Sequence, residues 1–330
     1  MATIIIASNQ KSLMNLKRFI SIVISVALLF YIYAQIDIAN LVQVLQNCDL
    51  LMLAISLGMV VPITLVTSWR LQQLVPQRSL GFLEANRLIL GASVLNMILP
   101  SKMGDIAKSY FMSERSNLSG SLALAISIFE KACDLLSLLL WCVFGLILYP
   151  AKDSLFWIMT VGVAGGLILG ILLLSSQQFA NLFFTIAIKF TPKSVAKKLQ
   201  KMQASWGEMH NYFWSNKPQL LLITSTSVFI WFLHLLQIWL FILALKAVVP
   251  FLVSLALSPL SILAGLLPLT FAGIGTRDAA IIYFYQDYFK EAMGAALGLL
   301  CTSRYFIPAL IGLPFLGQML GAVKKTRAAK

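Results

Sequence analysis

Residues 121–149 read SLALAISIFEKACDLLSLLLWCVFGLILY. This stretch of 29 residues is apolar except near its middle, where Glu130, Lys131 and Asp134 lie. A helix needs roughly 20 apolar residues to cross a bilayer core about 30 Å thick. The stretch therefore predicts a membrane-spanning helix, and its three charged side chains require partners or water inside the membrane.

The composition of the whole chain resembles that of this stretch. Of the 330 residues, 59% are apolar and 11% are charged, and the mean hydropathy is +0.87. Soluble proteins carry about 25% charged residues on average. The longest polar run, residues 175–219, has room for a helix or two but not for a soluble catalytic domain. Composition therefore predicts an all-α polytopic membrane protein.

The cations indicate how the chain is oriented. Lys and Arg number 25 against 12 Asp and Glu, which gives a formal net charge of +13. Most cations fall into four blocks between apolar runs, with three in residues 11–18, six in 70–115, six in 189–217 and four in 324–330. Cytoplasmic loops of membrane proteins carry such an excess. We expect both termini in the cytoplasm, and anionic lipids rather than nucleic acid as partners.

The same blocks predict the domain organisation. Residues 1–16 form a cytoplasmic N-terminal segment, residues 17–322 an integral membrane domain, and residues 323–330 a basic cytoplasmic tail. Within the membrane domain, residues 175–218 form a basic cytoplasmic loop.

The apolar runs predict six full spans and two shorter segments. The spans lie near residues 19–34, 50–69, 121–149, 154–174, 220–245 and 293–320. Residues 36–47 suggest an interfacial helix, and residues 193–201 a basic surface helix. The shorter segments, 88–99 and 251–267, end at Pro100 and Pro268. If each turns back to the side it entered, the protein has two re-entrant helical hairpins; eight complete crossings are the alternative.

The two interruptions resemble each other. The first reads LPSKMGD over residues 99–105, and the second reads LPLTFAGIGTRD over residues 267–278. Proline ends a helix and glycine permits the turn that follows. The residues expected to form the helix breaks are Pro100, Gly104, Pro268, Gly273 and Gly275. Paired interrupted segments in two halves of a chain fit an inverted repeat and point to a central binding site.

Cations near these breaks suit an anionic ligand. The helix that resumes after the second break, with the Thr276 hydroxyl as its expected cap, would offer free N–H groups to a phosphate. Arg277 and Arg304 could add forked contacts to a lipid phosphate.

The buried charges nearly balance, which favours an internal ion-pair network. The cations near the core are Arg87, Lys102, Lys108, Lys131, Arg277 and Arg304, and the anions are Glu84, Asp105, Glu130, Asp134 and Asp278. Glu130 and Asp134 share one helix face because they are four residues apart. Two interpretations stay open for Glu130, Lys131, Asp134 and Asp278. They serve a purely structural role, or they serve gating or proton coupling.

No catalytic motif is present in the sequence. It contains no nucleophile elbow, no Walker loop, no HExxH and no Cys/His metal spacing. We therefore expect no enzyme activity, no cofactor and no metal site.

Several of these motifs together resemble a known family. They are Arg70, then NMILP at residues 96–100, Gly104-Asp105 with Lys108, FEKACD at 129–134, and GIGTRD at 273–278. In this order they resemble the lysylphosphatidylglycerol synthase transmembrane-region family, also described as flippase-like. The chain is similar to the membrane half of the multiple peptide resistance factor over roughly residues 15–322, without the synthase domain. The resemblance implies a bacterial cytoplasmic (inner) membrane protein.

The resemblance and the charge pattern together predict the site and the function. The expected substrate-binding residues are Arg70, Asn96, Lys102, Asp105, Lys108, Arg277 and Arg304. Lys108 and Lys131 stand where the family often has Arg, and Asp278 where it often has Glu, so charge is kept but the guanidinium fork is lost. The expected function is translocation of a polar-headed, phosphate-bearing lipid. The alternatives are a non-transporting subunit that assists a lipid or envelope-glycolipid biosynthetic enzyme, and an ion-coupled carrier of small solutes.

Overall fold

The computed structural model describes residues 38–76, 79–98, 104–116, 118–149, 152–266 and 275–328. Within these ranges the chain is helical and has no strand. The helices are α1 (Ile38–Gln46), α2 (Leu50–Gly58), α3 (Val60–Leu74), α4 (Phe82–Ile98), α5 (Gly104–Ser116), α6 (Gly120–Leu148), α7 (Ser154–Ser175), α8 (Gln177–Lys189), α9 (Lys193–Ser215), α10 (Lys217–Ala244), α11 (Phe251–Gly265), α12 (Thr276–Phe284), α13 (Glu291–Ser303) and α14 (Phe306–Ala328).

Five segments of the described chain are long and apolar enough to cross a bilayer. They are Leu50–Leu74, Gly120–Leu148, Ser154–Ser175, Lys217–Ala244 and Glu291–Gly317. Each coincides with a span predicted from the sequence, and the sixth prediction, residues 19–34, lies outside the described residues. Apolar side chains on these helices are exposed in the protein, as Trp157, Ile158 and Val161 are on α7, which suits contact with lipid. The prediction of an all-α polytopic membrane protein is confirmed.

The chain forms two compact units. One comprises residues 238–303 with the described part of residues 1–56, and the other comprises residues 57–237 with residues 304–328. The unit with residues 238–303 contains α11 and α12, the helices on either side of the predicted break at Pro268. The other unit contains α4 and α5, the helices on either side of the predicted break at Pro100. The turn residues themselves, including Pro100, Lys102, Pro268 and Gly273, lie outside the described residues.

Helices α4 and α5 form a hairpin in which the chain doubles back. The Ser79 hydroxyl, just before α4, donates to the carbonyl of Ser116 at the end of α5, 3.4 Å away. Near the turn, a Cβ on Gly104 would lie 2.6 Å from Asn96 Oδ1, so the two helices touch where only glycine fits. The 17 residues of α4 extend about 25 Å at 1.5 Å per residue, which is short of a full crossing.

Helices α11 and α12 form the second hairpin. Tyr285, at the end of α12, has its hydroxyl 2.7 Å from Ser258 Oγ and 3.3 Å from Ser254 Oγ in the first turn of α11. At the other end, a Cβ on Gly265 would lie 2.8 Å from Arg277 Cβ. Within each hairpin, the outer ends of its two helices therefore lie together, as the re-entrant interpretation requires. Their position relative to a membrane stays a prediction.

The last span is interrupted near its middle. Helix α13 ends at Ser303 and α14 begins at Phe306, so Arg304 and Tyr305 form a turn midway along Glu291–Gly317. Pro308 explains the turn, because it has no N–H to donate to the Arg304 carbonyl and its ring would collide with that oxygen. The sequence predicts one span over residues 293–320, and the break within it is a finding of the structure.

The polar segments also form helices. Helix α1 lies within the predicted interfacial segment 36–47. The basic loop contains two helices, α8 and α9, and α9 continues fourteen residues beyond the predicted end at residue 201, to Ser215. The membrane side on which each segment lies stays a prediction.

Candidate functional site

Arg70 is the centre of a buried ion network in the second unit. The sequence counts it among the cations of a cytoplasmic block, yet the guanidinium is only 2% exposed. Its Nη1 donates to Asp134 Oδ1 at 2.5 Å and to Ser227 Oγ at 2.8 Å, and its Nη2 donates to Glu130 Oε1 at 3.1 Å. Arg70 therefore neutralises charge inside the span instead of marking the span's end.

Glu130 lies between two cations. Its second oxygen, Oε2, accepts a hydrogen bond from Lys108 Nζ at 2.5 Å, and both side chains are 1% exposed. Lys108 Nζ also lies 3.9 Å from Asp105 Oδ1. Because both oxygens of Glu130 bind a cation, its carboxylate is compensated despite complete burial.

Lys131 joins the remaining carboxylates at the outer side of the network. Its Nζ lies 3.4 Å from Asp105 Oδ2 and 3.5 Å from Asp134 Oδ2, and its side chain is 46% exposed. The network thus contains three cations and three anions and has no net charge. Its interior pairs are sealed, while Lys131 reaches the surface of the protein.

The network fastens the first hairpin to the spans beside it. Asp105 and Lys108 come from α5, Glu130, Lys131 and Asp134 from α6, Arg70 from α3, and Ser227 from α10. Most charged residues predicted for this network therefore meet in one place. The exceptions are Lys102, which lies outside the described residues, Glu84 and Arg87, which pair with each other and are partly exposed, and the uncharged Asn96. Asn96 lies beside Gly104, and its Oδ1 has no hydrogen-bond donor in the described chain.

All carboxylates of the network are bound to cations. The described residues contain no group of three or more side chains suited to hold a metal ion. The arrangement supports a structural role for Glu130 and Asp134, and their proposed part in gating or proton coupling stays a prediction.

Arg277 and Asp278 form a compact pair in the first unit. Arg277 Nη2 lies 2.6 Å from Asp278 Oδ1 and donates to the Gly298 carbonyl at 2.9 Å and to Thr302 Oγ1 at 2.7 Å. Asp278 Oδ2 accepts from the N–H of Gly275 at 3.0 Å. The guanidinium already has a carboxylate and two further acceptors, so it is held within the protein's own contacts.

The start of α12 differs from the sequence prediction. We expected the Thr276 hydroxyl to cap the helix, but the cap residue is Gly275, at φ 98°, and the Asp278 carboxylate reaches back to its N–H. Only glycine adopts that φ readily. An anionic side chain at a helix N-terminus is favourable, so Asp278 occupies the position predicted for a ligand phosphate.

Close packing against Asp278 gives a testable prediction. A Cβ on Gly298 would lie 2.7 Å from Asp278 Oδ1, so we expect Gly298→Ala to displace the Arg277–Asp278 pair. Overpacking of this kind costs about 1–3 kcal/mol, and thermal unfolding of the purified protein measures it. Gly162→Ala on α7 is the matched control, because a Cβ there meets nothing within 4 Å. Equal melting temperatures for the two variants would contradict the prediction.

Arg304 differs from the other buried arginines in lacking a carboxylate partner. It is 5% exposed, and no carboxylate of the described residues forms an ion pair with it. Nη1 lies 3.4 Å from Gln237 Oε1, Nη2 lies 3.2 Å from the Tyr305 hydroxyl, and Nε has no acceptor in the described chain. The guanidinium also lies 5.1 Å from the centre of the Tyr305 ring. Within the described part of the chain, its charge is thus contacted only by neutral groups.

Two polar residues of these clusters are absent from the sequence-based site. Ser227 gives no signal in the sequence, because a lone serine in an apolar helix more often bonds its own backbone, as Ser227 Oγ also does to Ile223 O. Gln237 is a polar residue in an apolar span. It is completely buried, and its Oε1 lies 3.4 Å from Arg304 Nη1, a contact that its neighbours in sequence do not predict.

Comparison with known proteins agrees with this architecture. The family model for the lysylphosphatidylglycerol synthase TM region matches residues 18–312. A UPF0104 membrane protein of Methanocaldococcus jannaschii is 24% identical over 317 residues, which cover 90% of this chain and 93% of that protein. The family match includes both hairpins, the ion network and Arg304, and it is a match to a transmembrane region rather than to a catalytic domain. The chain belongs to the lysylphosphatidylglycerol synthase transmembrane-region family.

Proposed function

We propose that this protein translocates a polar-headed, phosphate-bearing lipid and that Arg304 binds the headgroup phosphate. The observation that carries the proposal is the buried guanidinium of Arg304, which among the described residues contacts only neutral groups, at the middle of the span Glu291–Gly317. The protein is multi-pass, and we place it in the cytoplasmic membrane with both termini in the cytoplasm, in keeping with its basic blocks.

An anion is the ligand that suits the Arg304 guanidinium. An arginine at the centre of a transmembrane helix costs about 2.5–3.5 kcal/mol, and more by other scales, unless it is paired or hydrated. Arg70 and Arg277 have carboxylates at 2.5–2.6 Å, whereas Arg304 has none in the described residues. Two oxygens of a phosphate would accept from Nε and an Nη in parallel, which is the geometry that guanidinium groups favour. Gln237 and Tyr305 would then orient the fork.

The two hairpins support a transport role. Interrupted helices near the midplane are a recurrent feature of substrate sites in transporters. One such hairpin lies in each unit, and the network of Arg70, Glu130 and Lys108 holds the first of them in place. We therefore propose no chemical step, because moving a headgroup between leaflets requires a polar path but no bond to break.

Reconstitution into liposomes tests the proposal. Purified protein is inserted into vesicles that contain a trace of headgroup-labelled lipid in one leaflet, and the label on the other side is followed with an impermeant quencher. We expect movement of at least one phosphate-bearing lipid above that in empty vesicles. Retention of a lipid without any movement would contradict translocation and would favour the non-transporting subunit that assists a biosynthetic enzyme.

A further inference from the structure

The hairpin of α8 and α9 begins and ends at the end of a membrane span. Ser176 closes α7, with its N–H bonded to Leu172 O, and its hydroxyl accepts from Phe179 N in the first turn of α8 at 3.2 Å. One residue therefore separates the span from α8. Toward the other end of the hairpin, Trp214 Nε1 donates to Leu174 O at 2.9 Å, and a ring nitrogen of His210 lies 3.1 Å from Ser175 O. Both ends of the hairpin thus lie at the end of α7.

Helix α8 has two apolar faces, and the described residues cover only one of them. Ala180 and Phe184 are buried, and the Phe184 ring lies 6.0 Å from that of Trp206 on α9. On the opposite face, Leu182, Ile186 and Phe190 follow one another at four-residue spacing and are exposed, Phe190 to 82%. Three large apolar side chains in a row are costly in water.

The charge of the hairpin is mainly positive. Residues 177–215 contain five lysines and one acidic residue, Glu208. The lysines are Lys189, Lys193, Lys197, Lys198 and Lys201. The side chains of Lys189, Lys197 and Lys201 are exposed. A hairpin with an exposed apolar face on α8 and an excess of lysines on α9 suits the boundary between headgroups and acyl chains.

We propose that the α8–α9 hairpin docks on the anionic headgroup surface of the membrane that the protein spans. Leu182, Ile186 and Phe190 enter the boundary between headgroups and acyl chains, and Lys189, Lys197 and Lys201 contact lipid phosphates. The short connection at Ser176 keeps α8 at the level where span α7 leaves the membrane, and Trp214 lies at that level too, where tryptophan is enriched. This inference concerns a surface remote from Arg304 in sequence and does not depend on lipid translocation.

A spin label at position 190 tests the docking. The full chain carries Phe190→Cys and Cys48→Ser, because the other three cysteines are buried, and it is reconstituted in vesicles of phosphatidylcholine with or without phosphatidylglycerol. Collision rates with oxygen, which partitions into the bilayer, and with a water-soluble nickel chelate report the depth of the label. In vesicles with phosphatidylglycerol we expect oxygen to dominate. Without it, we expect nickel access to rise.

Charge variants separate the contribution of the lysines. Each lysine near an anionic surface contributes about fivefold to the docking equilibrium, so Lys197→Gln/Lys201→Gln should shift it by about 25-fold toward the undocked form. Lys246→Gln/Lys290→Gln makes the same charge change in other loops and should leave the label docked. A label open to nickel in both vesicle types would overturn the proposal and favour a protein partner for this face. A label shielded in every case would overturn the role of anionic lipid.

Discussion

We expect Arg70→Gln to destabilise the protein more than any other single substitution of a charged residue. The change leaves Glu130 and Asp134 buried with one cation fewer, since Arg70 donates to both. Breaking a buried pair by removing one partner costs about 3–5 kcal/mol, because the remaining charge is desolvated without compensation. Thermal unfolding in detergent, followed by the fluorescence of the seven tryptophans, measures the loss, together with the yield of monodisperse protein.

Two further variants make this prediction specific. Arg115→Gln removes a half-exposed cation whose nearest carboxylate oxygen, on Glu84, is 3.8 Å away, and it should change stability by less than about 1 kcal/mol. Arg70→Gln/Asp134→Asn restores neutrality, so the double variant should be more stable than Arg70→Gln alone. A double variant as unstable as the sum of its single substitutions would contradict a shared ion network.

Arg304→Met should behave in the opposite way, with activity lost and stability kept. Methionine keeps an unbranched, flexible side chain without charge, and no carboxylate of the described residues is left unpaired by the change. Charge-assisted hydrogen bonds contribute about 1.5–3 kcal/mol each, so loss of a forked contact to phosphate should slow lipid movement by tenfold or more. The liposome assay measures the rate, and native mass spectrometry of retained lipids measures binding.

The companion variants identify what Arg304 does. Arg304→Lys keeps the charge but not the planar fork and should retain part of the rate. Arg277→Met removes an arginine that is already paired with Asp278. This variant should lower the melting temperature and leave the set of retained lipids unchanged. Unchanged lipid movement and lipid profile in Arg304→Met would exclude Arg304 as the headgroup ligand, whatever its stability.

The elements predicted from sequence are those that depend on local composition. The spans follow from runs of apolar residues long enough for the bilayer, which is why α6, α7 and α10 match their predicted ranges closely. The hairpins follow from prolines that end an apolar segment too short to cross. Hydropathy does not predict the break at Arg304, because Pro308 does not lower the apolar content of the segment. The proline alone does not predict it either, since a helix often tolerates a proline in its first turn.

The sequence predicted a buried ion-pair network but not which residues pair in it. Near-equal numbers of cations and anions in the apolar segments indicated an ion-pair network, and Asp105, Lys108, Glu130, Lys131 and Asp134 do form one. The sequence does not place Arg70 among these buried charges, because Arg70 directly follows the apolar run 50–69 and therefore indicates the end of that span. Arg277 and Arg304 looked alike in sequence, but the first is neutralised by Asp278 and the second contacts only neutral groups in the described chain.

The sequence by itself therefore determined that the chain is a helical membrane protein, where its spans lie, and that charge is buried within them. Those properties depend on hydrophobicity summed over neighbouring residues, and this sum can be calculated from the sequence without knowing the fold. The tertiary structure decided which charges in residues 121–149 are satisfied and by what. Arg70 lies 60 residues from Glu130 and 157 from Ser227 along the chain, and electrostatic pairing at 3 Å depends on that long-range folding rather than on local composition.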